Sequence, residues 1–549
     1  MHTARFPNSL FLRLTRLSDV ALANVLSLGL FVLAAWPQLL LRLPPYQDLP
    51  DHLATIVILQ NPSRYPEFVS TGVLHSNAIF ATFLYYTSPF IGLVTAARVF
   101  VIATLATTSI VLPRFVLAFG DRQKMLLAAP FLAPMVHNWW VAMGMFNFAL
   151  AFPLGLLVLM LSKRQLAEPN TKRNVQLALL SVLLWYTHSI PLLLCAGLLG
   201  VEAIRTGIRN GDSPAAMAKG SLRIGLRLLL PLVPGLSLVA YTIFAHAHGA
   251  SEHSQSADAS WNQFRDIASM LYEFWAFWMM QISPLTGVTI VLALVLGYYA
   301  IRRARLDVPF LSSPAVLLLL ALYVFLPECL PGFGYVGQRI IPILWAAILV
   351  RIPERMPRLV TTVCALCSIA WSLGSAVELV RAERDLAQFT SAAPFIPENA
   401  RLLTLNFEPR LSAKNTFSLL HASGMYVVLK HVNAQDVWAD SPTMPIYRPG
   451  DMSPLDDPSY MQRLTASANS MKGFCKVQKR LGLAGQPCAD AWASTWSEVW
   501  RLASDEKDYV LLWGATDEVR AGAPRSWEVV HTDGPLVLLK VKRKAAENP

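Results

Sequence analysis

VALANVLSLGLFVLAAWPQLLL, residues 20–41, carries no charge, and its length matches the roughly 20 residues a helix needs to cross a hydrocarbon core about 30 Å thick. Arg5, Arg13 and Arg16 precede it. A secretory leader has a shorter apolar core followed by a small-residue cleavage site, and no such site follows this run, so it reads as a retained first helix. The whole chain agrees: of 549 residues, 54% are hydrophobic and 15% charged, with mean hydropathy +0.43. Soluble domains are about a quarter charged. The composition is that of an integral membrane protein.

Ten further apolar runs follow, near 93–113, 125–138, 144–162, 175–188, 191–204, 221–246, 285–301, 309–327, 338–351 and 358–381. With the first they predict about eleven crossings. The pair within 175–204 is short enough to cross twice or to form a re-entrant pair broken at Pro191. Basic residues occupy alternate gaps, among them Arg122 and Lys124, Lys163 and Arg164, Arg205 and Arg209, Arg302 and Arg303, and Arg355 and Arg358. The positive-inside rule puts these gaps and the N-terminus in the cytoplasm. The gaps 136–143, 247–263 and 328–337 contain no Lys or Arg and fall on the opposite side. The net charge of +11 is thereby spread over loops, and with no motif of a nucleic-acid module the sequence predicts no nucleic-acid partner.

After about residue 387 the composition changes. ARLLTLNF, GMYVVLKH, DYVLLWGA and PLVLLKVK are short apolar runs bounded by turn residues and read as strands. The predicted organisation is a multi-pass transmembrane domain over 1–386, with a first outer loop at about 42–92, and an extracytoplasmic α/β domain over 387–549. In that second region Cys475 and Cys488 are expected to form a disulfide. Cys329 would be left over in a short loop. Cys364 and Cys367 form CALC inside an apolar run, where packing is the simpler explanation.

The first crossing ends just before PYQDLPDHLA, residues 45–54, with Asp48, Asp51 and His52 within five positions. Asp51 has the right chemistry to cap a helix over HLATIVILQ. Alternatively, Asp48 and Asp51, three apart, converge with His52 at the membrane surface, where carboxylates are costly unless they bind a cation or take a proton. Arg339, in YVGQRIIP, sits where an apolar helix meets the outer surface; it pairs with an anion such as phosphate, anchors at the interface, or bridges to Glu328. Arg64 is a further cation in the first loop. His188, in YTHS, is either a hydrogen-bonded core residue or a substrate contact. His137, Asn138, Trp139 and Trp140 read as an aromatic belt or a sugar platform. AHAHGASEHSQSAD, with His246, His248, Glu252 and His253, is an outer loop that matches no defined zinc spacing.

The order of these features resembles the membrane glycosyltransferases of the GT-C superfamily: a first helix, an acidic outer loop carrying DLPDHLA, surface helices, a polytopic core and a C-terminal extracytoplasmic domain. GMFNFALAFPLG at 144–155, LLWYTHSIPLLL at 183–194, GYVGQRIIPIL at 334–344 and PENARLLTLNF at 397–407 are similar to segments of uncharacterised bacterial members. The resemblance implies inverting transfer of a sugar from a polyprenyl-phosphate donor to a lipid, glycan or protein acceptor of the envelope, at the outer face of the bacterial inner membrane. It implies Asp48 and Asp51 as catalytic carboxylates; His52, Arg339, His188 and Arg64 as substrate-binding groups; and Mg or Mn as an optional cofactor held by Asp48, Asp51 and His52. The spacing D-x-x-D-H departs from the adjacent acidic pair of many members. The competing expectations are a transporter or flippase, which should show repeats and midplane ionisable groups, an envelope ligase or polymerase, whose working loop should come late in the chain, and a non-catalytic assembly subunit.

Overall fold

The computed structural model describes residues 17–249, 266–278, 285–303, 307–327, 334–409, 416–433, 437, 445–448, 453–480 and 487–542. Glu328, Cys329, Glu252 and His253 lie outside these residues, as do the side chains of His246 and His248.

The chain is predominantly helical. Among the described residues, seven helical segments are long and apolar enough to cross a membrane: Asp19–Leu40, Leu93–Phe119, Arg122–Met143, Phe146–Ala167, Ser189–Asn210, Pro214–Phe244 and Arg358–Phe395. The other four expected crossings form shorter or more polar helices, Thr171–Thr187, Leu285–Arg302, Ser313–Phe325 and Ile341–Leu349. Proline starts two of them, Pro314 and Pro342, where its missing N–H costs no helix bond. The expected break at Pro191 falls instead at His188, whose φ of −170° ends one helix while its ring Nδ1 accepts from the Ile190 N–H and caps the next.

In chain order, the helices used below are α1 (Asp19–Ala35), α2 (Leu49–Gln60), α3 (Trp139–Met143), α4 (Phe146–Ala167), α5 (Ser189–Asn210), α6 (Pro214–Leu229), α7 (Arg358–Phe389), α8 (Gly424–Lys430), α9 (Met471–Arg480) and α10 (Cys488–Glu506). The strands are β1 (Val69–Ser70), β2 (Leu402–Asn406), β3 (Ile446–Tyr447), β4 (Tyr509–Trp513), β5 (Glu528–Asp533) and β6 (Leu536–Lys540).

The main sheet has the order β2-β4-β6-β5, with β2 and β4 parallel and the other pairs antiparallel. Its two faces serve two cores. Leu402, Tyr509, Leu511, Trp513, Leu536 and Leu538 join the core of the long helices, whereas Leu403, Leu405, Val510, Leu512, Val537 and Leu539 pack with Trp496, Val499 and Trp500 of α10. Successive residues of a strand point to opposite faces, so burial of both faces explains why YVLLW is apolar throughout.

Three of the four expected strands form. The fourth, GMYVVLKH, is corrected: Gly424–Lys430 is the helix α8, because a short apolar run does not distinguish strand from buried helix and tertiary packing chose the latter. The edge strand β5 was not anticipated; it is largely exposed and bulged between Val529 and His531, so it lacks an apolar signature.

Cys475 of α9 and Cys488 of α10 form the expected disulfide, with Cα atoms 5.5 Å apart. Alkylation without reductant should therefore leave both unmodified in the intact mass, and reduction should destabilise this region by about 3 kcal/mol in the chain-entropy account. Two alkyl adducts at these positions without reductant would contradict the pairing.

Candidate functional site

The segment PYQDLPDH enters α2 with Asp48, not Asp51, at the N-cap position. Pro50 in the first turn has no amide hydrogen to satisfy, so the helix starts there without cost. Asp51 is corrected to a buried place in that first turn. The Asp48 side chain makes no capping bond. It is thereby left to other partners.

Those partners come from three parts of the chain. Gln47 Nε2 donates to Asp48 Oδ1 at 3.2 Å, and Gln47 Oε1 in turn accepts from the Phe417 N–H at 2.8 Å. His421 Nε2 lies 3.8 Å from Asp48 Oδ1. The Asp48 N–H donates to the Met143 carbonyl at 3.0 Å. Behind this contact Gly144 adopts φ +85°, and a Cβ there would lie 2.9 Å from the Asp48 nitrogen. Only glycine meets both demands. On the opposite side a Cβ at Gly424 would lie 2.6 Å from the Pro50 carbonyl oxygen, so α8 and α2 meet backbone to backbone.

Arg339 is buried in a short 3-10 turn. Its guanidinium lies over the rings of Trp140 and Phe148, 5.6 and 5.3 Å from their centroids, and its Nη1 contacts His188 Nε2. Stacking on aromatic faces offsets part of the cost of burying the cation. His52 meets the edge of Phe80 at 5.2 Å, and the Phe80 N–H is held by Asn147 Oδ1 at 2.9 Å.

Burial pushes the Asp48 carboxyl up to about 7, against the opposing pull of the Gln47 hydrogen bond and the Arg339 charge. A fifth of the side chain still reaches solvent. Burial pulls His52 down to about 4, opposed by its hydrogen bond to the Gly144 backbone. Burial, with the His52 charge, pulls His421 down to about 3. Near neutral pH the site therefore holds two neutral imidazoles beside a carboxyl at its midpoint. Such a carboxyl is able to take a proton from a hydroxyl and give it up again.

The structure thus brings Asp48, His52, Arg339 and His188 into one neighbourhood. Arg64 does not join it: it is exposed beyond the far end of α2, and the helix rise of 1.5 Å per residue places that end about 18 Å from Asp48. The expected three-ligand set of Asp48, Asp51 and His52 does not form either; among the described residues no three His, Cys, Asp or Glu side chains lie close enough to share an ion. The donors present do not fit Mg or Mn, which prefer several oxygen ligands. Of the segment read as a belt or a sugar platform, only Trp139 is half-exposed. His137, Asn138 and Trp140 are buried, Asn138 caps α3, and the His137 Nε2 and Tyr46 hydroxyl lie 3.4 Å apart.

Gln47, Gly144, Asn147, Gly424 and His421 were not anticipated as members of the site. GMFNF and HASGM carry glycines that mark close approach, but the partner of each lies far away in sequence; Phe417 and Gln47 are 370 residues apart.

The first loop and the C-terminal region are tied again beyond α2. β1 pairs antiparallel with β3, and Arg448 lies over Phe68 at 4.6 Å and 3.8 Å from Glu67. Residues 416–433 and 445–448 of the C-terminal region, called the strap below, thus contact the loop that follows α1 at two places.

No protein-family model matches this chain, and no curated protein matches it.

Proposed function

We propose that this protein is a membrane glycosyltransferase of the GT-C type, moving a sugar from a polyprenyl-phosphate donor to a lipid, glycan or protein acceptor of the bacterial envelope. The observation that carries the reading is the Asp48 carboxyl, held near pH 7 at the start of α2 with the Arg339 guanidinium within its electrostatic reach. A neutral hydroxyl is a poor nucleophile, and a positioned base of matched pKa is the usual remedy.

Asp48 takes the proton of the acceptor hydroxyl as its oxygen bonds to the anomeric carbon from the face opposite the phosphate. The bond from that carbon to the phosphate oxygen breaks, its electron pair stays on the lipid phosphate, and configuration inverts. Arg339 meets the charge that develops there, since its fork of donors matches a phosphate. His52 and His188 orient the two partners. No step passes through a metal ion, because the residues present do not fit one. In this reading eleven segments cross, the N-terminus is cytoplasmic, and the site and the sheet region face outward. The alternation of basic gaps supports that orientation.

The test is a comparison, by mass spectrometry, of lipid-linked and envelope glycans in a strain lacking this protein, complemented with wild type or with Asp48→Asn/Asp51→Asn, at matched membrane levels. One sugar mass should vanish in the deletion and return only with wild type. Full complementation by the double variant would sink the proposal and favour a transporter or a scaffold.

A further inference from the structure

Helix α6 packs on α5 at unusually short range: a Cβ at Gly207 would lie 2.1 Å from Ser221 Oγ, and one at Gly211 would lie 2.6 Å from the Met217 nitrogen. That approach fixes which face of α6 turns inward. At 100° per residue, Met217, Ser221, Ile224 and Leu228 fall within about 60° of one another. Two stripes lie on the other side, each at i, i+4, i+8. One is Lys219, Arg223 and Arg227; the other is Leu222, Leu226 and Leu230, which are 64%, 55% and 63% exposed.

None of the three cations pairs with a carboxylate among the described residues, and α6 contains no acidic residue. Their neighbours on α5 behave differently: Arg205 pairs with Glu202 and Asp307, and Arg209 with Asp307. Position along the helix adds to this. Pro214–Phe244 is a continuous 31-residue span, about 46 Å at 1.5 Å per residue, against a hydrocarbon core of about 30 Å. With Phe244 at the far edge of the core the excess is about 16 Å, or about eleven residues from Pro214, so Lys219 and Arg223 lie in it and Arg227 lies one turn further in, within reach of the surface by its long side chain.

We propose that this outward face of α6 binds an anionic phospholipid, the phosphate held by Lys219, Arg223 and Arg227 and an acyl chain lying along Leu222, Leu226 and Leu230. A lipid presents one negative group and one apolar chain side by side, at the depth where this helix offers cations beside leucines. An acidic protein would leave the leucines uncovered. The inference does not depend on the reaction the protein catalyses.

The purified full-length protein in non-ionic detergent is titrated with dioleoyl phosphatidylglycerol and, separately, with dioleoyl phosphatidylcholine, and bound lipids are counted by native mass spectrometry. Phosphatidylglycerol should bind more tightly. Lys219→Gln/Arg223→Gln/Arg227→Gln should weaken it by about a hundredfold, at about fivefold per cation, with phosphatidylcholine unchanged. Arg223→Gln alone, which keeps most of the surface intact, should lose about fivefold, and Arg223→Lys/Arg227→Lys should retain wild-type affinity. Unchanged phosphatidylglycerol affinity in the Gln variants overturns the proposal. So does an equal loss in Arg303→Gln/Arg355→Gln/Arg358→Gln, which would mean that the attraction belongs to the whole basic surface and not to α6.

Discussion

If Asp48 is the base of the proposed transfer, Asp48→Asn should lower that transfer by about a hundred- to ten-thousand-fold, the usual contribution of a positioned base, while leaving the protein at least as stable as wild type above pH 7. Both halves follow from one property. Burial holds the Asp48 carboxyl neutral up to about pH 7, whereas the unfolded chain releases that proton near pH 4. Between those values the folded state binds more protons than the unfolded state, so the contribution of Asp48 to stability falls as pH rises. Asn is neutral throughout and escapes that loss. On the proposed mechanism the wild-type rate follows the unprotonated carboxylate, so it should rise with pH and level off above about 7. His52 and His421 act in the opposite sense: they stay neutral in the fold down to about 4 and about 3, but protonate near 6.5 when unfolded. Their contribution is present above pH 6.5 and is lost on acidification. Thermal unfolding followed by tryptophan fluorescence at pH 5 and pH 8, beside transfer rates at the same values, reads all of this. An Asp48→Asn protein that unfolds earlier than wild type at pH 8 would mark the carboxylate as a structural anchor.

Gly424→Ala separates the two halves of the site. The added methyl carbon would lie 2.6 Å from the Pro50 oxygen and 2.8 Å from its carbon, both backbone atoms of the first turn of α2. Neither can swing aside as the end of a flexible side chain would. Overpacking of this kind costs about 1–3 kcal/mol, and relief requires α8 to withdraw from α2. Withdrawal breaks the Phe417–Gln47 hydrogen bond and carries His421 away from Asp48. The expected result is lower thermal stability, faster proteolysis within 409–448 and a loss of transfer close to that of Asp48→Asn. Gly197→Ala on α5 is the contrast, because nothing lies within 4 Å of a Cβ there and alanine is favoured over glycine in a helix by about 1 kcal/mol. If Gly424→Ala behaved like Gly197→Ala, the contact between the strap and the first loop would have no energetic weight.

Asp48, His52, Arg339 and His188 were legible because each breaks a local pattern: a charge or imidazole beside a long apolar run is expensive and calls for a reason. Arg64 breaks the same pattern yet lies away from the other four, since hydropathy does not record how far a helix carries a residue from its neighbour. The N-cap was misassigned for a related reason. DLPDH offers two carboxylates of equal capping chemistry, and the choice of Asp48 came from its N–H bonding Met143 and from the fit of Gly144 behind it.

By itself the sequence determined that this chain is a polytopic helical protein with strands near its C-terminus, because burial against lipid or core imposes hydrophobicity run by run and that record is local. Only the tertiary structure decided that GMYVVLKH is a helix, that Asp51 is buried in the first turn of α2, and that His421 and Gln47 share Asp48. Those outcomes depend on backbone contacts between segments hundreds of residues apart, at Gly144 and Gly424. A glycine in a sequence shows that something comes close but not what it meets.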